Sequence, residues 1–179
     1  MRTATSFVLC ALLAGFSASA SAAEGARYFG LAWMGTKLSQ PGFPDFEPEG
    51  VIGKLGYNLI GQRVAVEAHL GYTPHARTES VSGTDVDVKV RYVAAVFGRY
   101  NIVVADKATI YALGGYARAG FRVADATGSA ESNKSGVAYG AGIELYGNAT
   151  TALSAEYVHY FKKDSVTLKA INIGFVHRF

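Results

Sequence analysis

The stretch RVAVEAHLGY, Arg63 to Tyr72, alternates strictly. Val64, Val66, Ala68, Leu70 and Tyr72 fall on one side of an extended chain, and Arg63, Ala65, Glu67, His69 and Gly71 on the other. Successive strand residues point to opposite faces, whereas an amphipathic helix repeats its apolar positions every three to four residues, so this stretch predicts a strand with one wholly apolar face. GVAYGAGIELYG, Gly136 to Gly147, splits the same way: Val137, Tyr139, Ala141, Ile143 and Leu145 oppose Ala138, Gly140, Gly142, Glu144 and Tyr146. Extended along the chain, the template predicts an all-β fold of eight strands, over 26–36, 50–60, 63–72, 86–100, 109–123, 136–146, 151–161 and 167–179. Pro41, Pro44, Pro48 and Pro74 all fall between them, where no ladder needs an N–H.

Half of the 179 residues are hydrophobic. Part of that excess lies in residues 1–22, where Arg2 precedes the apolar run FVLCALLAGF and the small-residue stretch SASASAA. This order predicts a secretory signal peptide cut near Ala22 or Ala23, with 23–179 as one domain. The only cysteine, Cys10, lies inside the signal and lacks a lipoprotein setting. The exported chain therefore has no disulfide to rely on and must be held by packing and backbone hydrogen bonds. Losing Arg2 takes the formal charge from +3 to +2, too little for a nucleic-acid footprint.

The connections alternate in length. Segments 37–49, 73–85 and 126–135 are long and polar, while Gly61-Gln62, Asp106-Lys107 and 147–150 are tight. An even number of strands with long loops at one end and short turns at the other predicts an eight-stranded antiparallel up-and-down transmembrane β-barrel. Its apolar faces would meet lipid and its charges a closed lumen, because every backbone group inside hydrocarbon needs a partner and only closure leaves no edge. Interface aromatics are expected at both ends, with Phe29, Tyr57, Tyr111 and Phe179 toward the short turns and Trp33, Tyr72, Tyr139 and Phe161 toward the long loops. Lys54, Glu67, Arg91, Arg118, Arg122, Glu144 and Glu156 are expected to point inward as a lumenal charge network, with Lys54 and Glu67 as a pair on adjacent strands. In 86–100, turning Arg91 and Arg99 inward takes Phe97 inward too, and a bulge is the device that would reset the register.

The ending INIGFVHRF, with Asn172, Gly174, His177 and Phe179, resembles the C-terminal sorting signal of bacterial outer-membrane barrels, His177 standing where an aromatic is usual. Together with GVAYGAGIEL, LSAEYVHYF and the export signal, it makes the chain similar to the OmpA/OmpX-like family of eight-stranded outer-membrane barrels. The resemblance implies a bacterial outer-membrane location, contact with outer-membrane lipid and lipopolysaccharide, insertion by the barrel assembly machinery, and a monomer. It also implies a barrel without the periplasmic domain that some relatives carry.

An eight-stranded barrel is filled by its own side chains, so the charges are expected to plug it rather than to line a wide pore. The expected role is structural or surface-interacting, through the long loops, with Phe43 and Phe46 in the first of them available to a surface ligand or packed over the barrel mouth. A narrow channel is the alternative, and an outer-membrane lipid-modifying enzyme the third reading. Catalysis would draw on Glu156, His159 and Ser165, but Glu156 and His159 have opposite strand parity. His69 and His75 have no ligand cluster in the sequence, so neither a metal nor a cofactor is expected.

Overall fold

The computed structural model describes residues 26–42, 45–75, 77–81, 84–125 and 128–179, with the backbone alone for 77–81, 84–86 and 125. The expected signal peptide, Cys10 and Phe43 lie outside the described residues. Among the described residues nine strands form: β1 Arg27–Ser39, β2 Glu49–Ile60, β3 Val64–Tyr72, β4 Arg77–Val81, β5 Thr84–Val104, β6 Ala108–Asp125, β7 Gly128–Tyr146, β8 Thr151–Lys163 and β9 Val166–Arg178. Eight of them make the wall. Each pairs antiparallel with its neighbours in the order β3-β2-β1-β9-β8-β7-β6-β5, and the β5 to β3 ladder closes the ring. The first and last strands bond directly, Leu31 opposite Phe175, and the Phe179 N–H donates to the Arg27 carbonyl at 2.9 Å.

The eight predicted strands are all present, but the sheet runs further at the loop end, most of all in β7. Residues 84–90 and 128–138 continue β5 and β7 well past the barrel, and β4 adds to β5 there as a short outer strand. Much of the expected loops 73–85 and 126–135 is therefore sheet. A ladder that already bonds both neighbours extends readily when the next residues are Val, Thr and Ser, which tolerate an extended chain. At the opposite end the turns are tight. Gly61 takes a φ of +51°, open to glycine at no steric cost, and Asn148 Oδ1 accepts from the Thr150 and Thr151 N–H groups at 3.0 and 2.7 Å. The last loop is a two-residue turn, Asp164 and Ser165, both at positive φ as a tight hairpin requires.

The alternation sorts the wall as the sequence implies. Leu31, Leu55, Leu70, Val96, Ile171, Ile173 and Phe175 face outward, with Leu70 67% exposed, while Glu67 and Glu144 are fully buried inside. The lumen has two layers. Near the short turns it is ionic. Toward the long loops it is apolar, filled by Met34, Ile52, Val90, Val93, Phe97, Leu113, Phe121, Val158, Phe161 and Leu168. Leu38 packs against this layer, and the buried Phe46 exchanges backbone bonds of 2.8 and 3.0 Å with it, so the first loop folds back along the end of β1.

Small residues make room for the inward aromatics. A Cβ on Gly56 would overlap the Tyr28 ring, and one on Gly142 would overlap the Tyr111 ring. Overpacking of this kind costs about 1–3 kcal/mol. Gly142→Val should accordingly lower the unfolding free energy from urea titration by that amount, while Gly114→Val, where a Cβ meets nothing, should leave it within about 0.5 kcal/mol.

Candidate functional site

The chemistry of this chain gathers in the ionic layer of the lumen. Three carboxylates stand there, each held by a cation, a tyrosine hydroxyl and one further group. Glu67 accepts from Tyr28 Oη at 2.5 Å and from Arg99 Nη1 at 3.1 Å, and its Oε1 lies 2.5 Å from His69 Nε2. Glu144 accepts from Arg99 Nη1 at 2.6 Å, Arg178 Nη2 at 2.8 Å and Tyr146 Oη at 2.5 Å. Glu156 meets Lys54 Nζ at 3.1 Å and accepts from Tyr111 Oη and Asn172 Nδ2, each at 2.9 Å.

Alternation places these groups. Glu67 and His69 sit two apart on β3, Glu144 and Tyr146 two apart on β7, and Arg99 and Asn101 two apart on β5, so each pair shares the inner face. The contacts reach across the lumen: β2 to β8 for Lys54 and Glu156, β5 to β7 for Arg99 and Glu144. Arg99 is the hub. Its Nε donates to Asn101 Oδ1 at 2.8 Å, and its guanidinium lies over the Tyr111 ring at 3.6 Å and the Tyr28 ring at 5.2 Å. A desolvated guanidinium over an aromatic face gains about 2 kcal/mol, which helps offset its removal from water. Lys54, Arg99 and Arg178 balance Glu67, Glu144 and Glu156 charge for charge.

Of the seven residues expected in this network, Lys54, Glu67, Glu144 and Glu156 are inside. Arg91, Arg118 and Arg122 are not; all three are exposed on the outer wall toward the long-loop end. On β5 the register shifts between Val90 and Tyr92, which leaves Val90 and Val93 inside and turns Arg91 out to pair with Glu131. On β6 the expected parity is reversed. Tyr111, Leu113, Ala117, Ala119 and Phe121 face in, and Arg118 and Arg122 face out, with Arg122 reaching Ser129 Oγ at 3.3 Å. The reason is the apolar upper layer. Where the lumen itself is greasy and the outside is no longer hydrocarbon, apolar residues fill the interior and arginines go to the surface.

Two residues leave the expected girdles for the lumen. Tyr111 is a lumenal hydrogen-bond donor to Glu156, and Phe161 belongs to the upper plug, brought inside by a register shift between His159 and Phe161 and packed edge-on to Phe121 at 6.1 Å. Trp33, Tyr57, Tyr72 and Tyr139 are exposed on the outer wall. Phe29 stacks on Phe179 at 5.9 Å, and His177 packs edge-on to Phe179 at 4.9 Å. Asn172 and Gly174, expected as part of the sorting signal, also serve the lumen: Asn172 holds Glu156, and a Cβ on Gly174 would overlap the β1 backbone. The expected Lys54 and Glu67 pair is replaced by Lys54 with Glu156. Glu156, His159 and Ser165 do not converge; His159 stacks on the outward Tyr139 at 4.7 Å, Ser165 is in the last turn, and Glu156 is in the lumen. His69, read from the sequence as lacking a ligand cluster, has Glu67 and Glu156 for neighbours. Parity with Glu67 and Glu144 was the signal that could have placed His69 and Tyr146 there, but partners across the lumen are not visible in local sequence.

The fold is similar to those of solved outer-membrane barrels. The chain aligns with Ail, the attachment invasion locus protein of Yersinia pestis, at 22% identity and a TM-score of 0.67, covering 87% of this chain and 99% of that one. Neisserial surface protein A aligns at 16% identity and a TM-score of 0.63, over 87% and 100%. The N-terminal β-barrel domain of OprF from Pseudomonas aeruginosa aligns at 13% and 0.61, over 88% and 99%. No curated protein sequence matches at a significant level. The model of the outer membrane protein beta-barrel domain matches residues 8–179. Closed eight-stranded wall, apolar outer face and sequence thus agree, and the chain belongs to the outer membrane protein β-barrel domain family of the bacterial outer membrane.

Proposed function

We propose that the protein is a non-conducting, non-enzymatic monomeric barrel that anchors an extracellular sheet for surface interaction. The lumen carries this reading. An ionic layer of nine interlocked contacts to three carboxylates lies beneath an apolar plug, and this filling supports a closed lumen. The working surface is then the sheet of β4 to β7 beyond the membrane. Residues 129–138 pair with β6 alone among the described residues, since the β7 to β8 ladder starts at Tyr139. A one-sided strand edge is a template for strand addition by a partner chain.

Planar-bilayer recording on the refolded barrel tests the closed lumen. The expected result is no discrete conductance in 1 M KCl. Regular steps would favour the narrow channel, a reading supported by five buried lumenal atoms without hydrogen-bond partners, Lys54 Nζ, His69 Nδ1, Ser154 Oγ, Tyr160 Oη and Asn172 Oδ1.

Arg91, Arg118 and Arg122 on the outer wall are suited to lipopolysaccharide phosphates, and Phe179 to recognition during assembly. Phe179→Ala should sharply reduce the amount of barrel assembled in cells while changing in vitro stability by about 1 kcal/mol or less, since the ring is only half-buried. Equal losses in both assays would assign Phe179 to packing alone.

A further inference from the structure

The chain of contacts across the lumen fails to close between His69 and Glu156. His69 Nδ1 stands 4.0 Å from Glu156 Oε1, beyond hydrogen-bond reach, and has no partner. The other ring nitrogen, Nε2, lies against Glu67 Oε1 at 2.5 Å. A carboxylate on one imidazole nitrogen, with the other nitrogen turned toward oxygen ligands in a dry interior, is how metal-ligating histidines are held. Ligand atoms of Glu67, His69 and Glu156 all lie within 4.8 Å of one another, and all three residues are buried. A second observation points to the same place. Asn172 is fully buried and bonds Glu156 Oε1 through Nδ2, with the buried Tyr160 hydroxyl beside it, and its Oδ1 makes no well-formed hydrogen bond among the described residues. Buried polar atoms are rarely left unpaired, and unpaired acceptors gathered round one carboxylate call for an occupant.

We propose that this gap is a transition-metal site. His69 Nδ1 and Glu156 ligate the ion, Glu67 orients the imidazole from behind, and Asn172 Oδ1 or water completes the shell. Imidazole with carboxylate suits Zn²⁺, Co²⁺ or Cu²⁺, whereas Mg²⁺ and Ca²⁺ prefer oxygen alone. Lys54 is the built-in competitor. Its Nζ sits 3.1 Å from Glu156 Oε2 and supplies the positive charge that a metal would bring to the same carboxylate. With three cations already matching three carboxylates, the ion enters against that balance, so Lys54 sets the affinity. The site is a cation position that the native lysine holds partly closed.

The test uses the untagged mature barrel, refolded in detergent micelles in the presence of Zn²⁺ or Co²⁺ so that the closed wall does not limit entry, then washed and assayed by calorimetry and by the Co²⁺ visible spectrum. One ion per barrel is expected. His69→Gln and Glu156→Gln should each weaken binding at least tenfold, and Glu67→Gln about 10–100-fold as an outer partner of the ligating histidine. Lys54→Met should strengthen it at least tenfold, a gain that misfolding cannot produce. Heat-modifiability on gels confirms that each variant is folded. Two results overturn the proposal: no binding by either the native protein or Lys54→Met, or full binding retained in His69→Gln, which would place the ion on His75, His159 or His177 instead.

Discussion

Arg99→Met is expected to destabilise the folded barrel by about 3–5 kcal/mol, the range for breaking a buried ion pair from one side. Arg99 donates to two of the three lumenal carboxylates, at 3.1 Å to Glu67 and 2.6 Å to Glu144. Without it Glu144 keeps Arg178, but Glu67 keeps only Tyr28 and His69. Methionine fills some of the volume over the Tyr111 ring, so the loss reports charge more than cavity. The penalty should shrink as pH falls, because a carboxylate that takes up a proton no longer needs the missing cation. Urea titrations of the refolded barrel at pH 8 and pH 4 measure both. Arg118→Met supplies the contrast: on the outer wall, with no buried partner, it should stay within about 0.5 kcal/mol. If Arg118→Met proved the costly one, the assignment of inner and outer arginines would be reversed.

Leu70→Arg should cost about 2–4 kcal/mol, the expected range for a cation on the lipid face near the membrane midplane. Leu70 lies on β3 between Val66, which pairs with the girdle residue Tyr57, and Tyr72 of the opposite girdle. In a soluble protein, substituting a side chain 67% exposed would cost almost nothing, so the magnitude itself distinguishes hydrocarbon from water. Thermodynamic titration in phospholipid vesicles gives the number. Arginine at the same place in a water-exposed wall would leave the midpoint unmoved.

The wall was readable because its pattern is local. On β3, on the lower half of β7 and on β9 from Ile171 to Phe175, one face is apolar throughout and the other carries Glu67, Glu144 and Asn172, so a two-residue period settles both the strand and its facing. The reading fails on β6, where Tyr111 to Phe121 are apolar on the inner face and Arg118 and Arg122 lie outside. Polarity marks the facing only at levels where the two sides differ, and near the long loops the lumen is apolar and the exterior is not hydrocarbon. Bulges hide facing in another way: one extra residue at Arg91 turns it away from the lumen while Arg99, of the same parity, stays in it. The extended sheet was missed because polar stretches such as Gly128 to Ser135 look like loops, yet an existing ladder carries them as strand. The network itself lies beyond any local pattern, since Lys54 with Glu156, and Arg99 with Glu144, join strands that are not neighbours.

The most direct measurement of the central claim needs no substitution. The sequence has a single tryptophan, Trp33, which sits on the outer wall of β1, 46% exposed, opposite Ile173 of the closing strand. In vesicles containing brominated phosphatidylcholine, Trp33 fluorescence is predicted to be strongly quenched by bromines placed near the interface and hardly at all by acrylamide in the aqueous phase. Quenching by acrylamide with no effect of the brominated lipids would contradict a barrel whose apolar face is turned to the membrane.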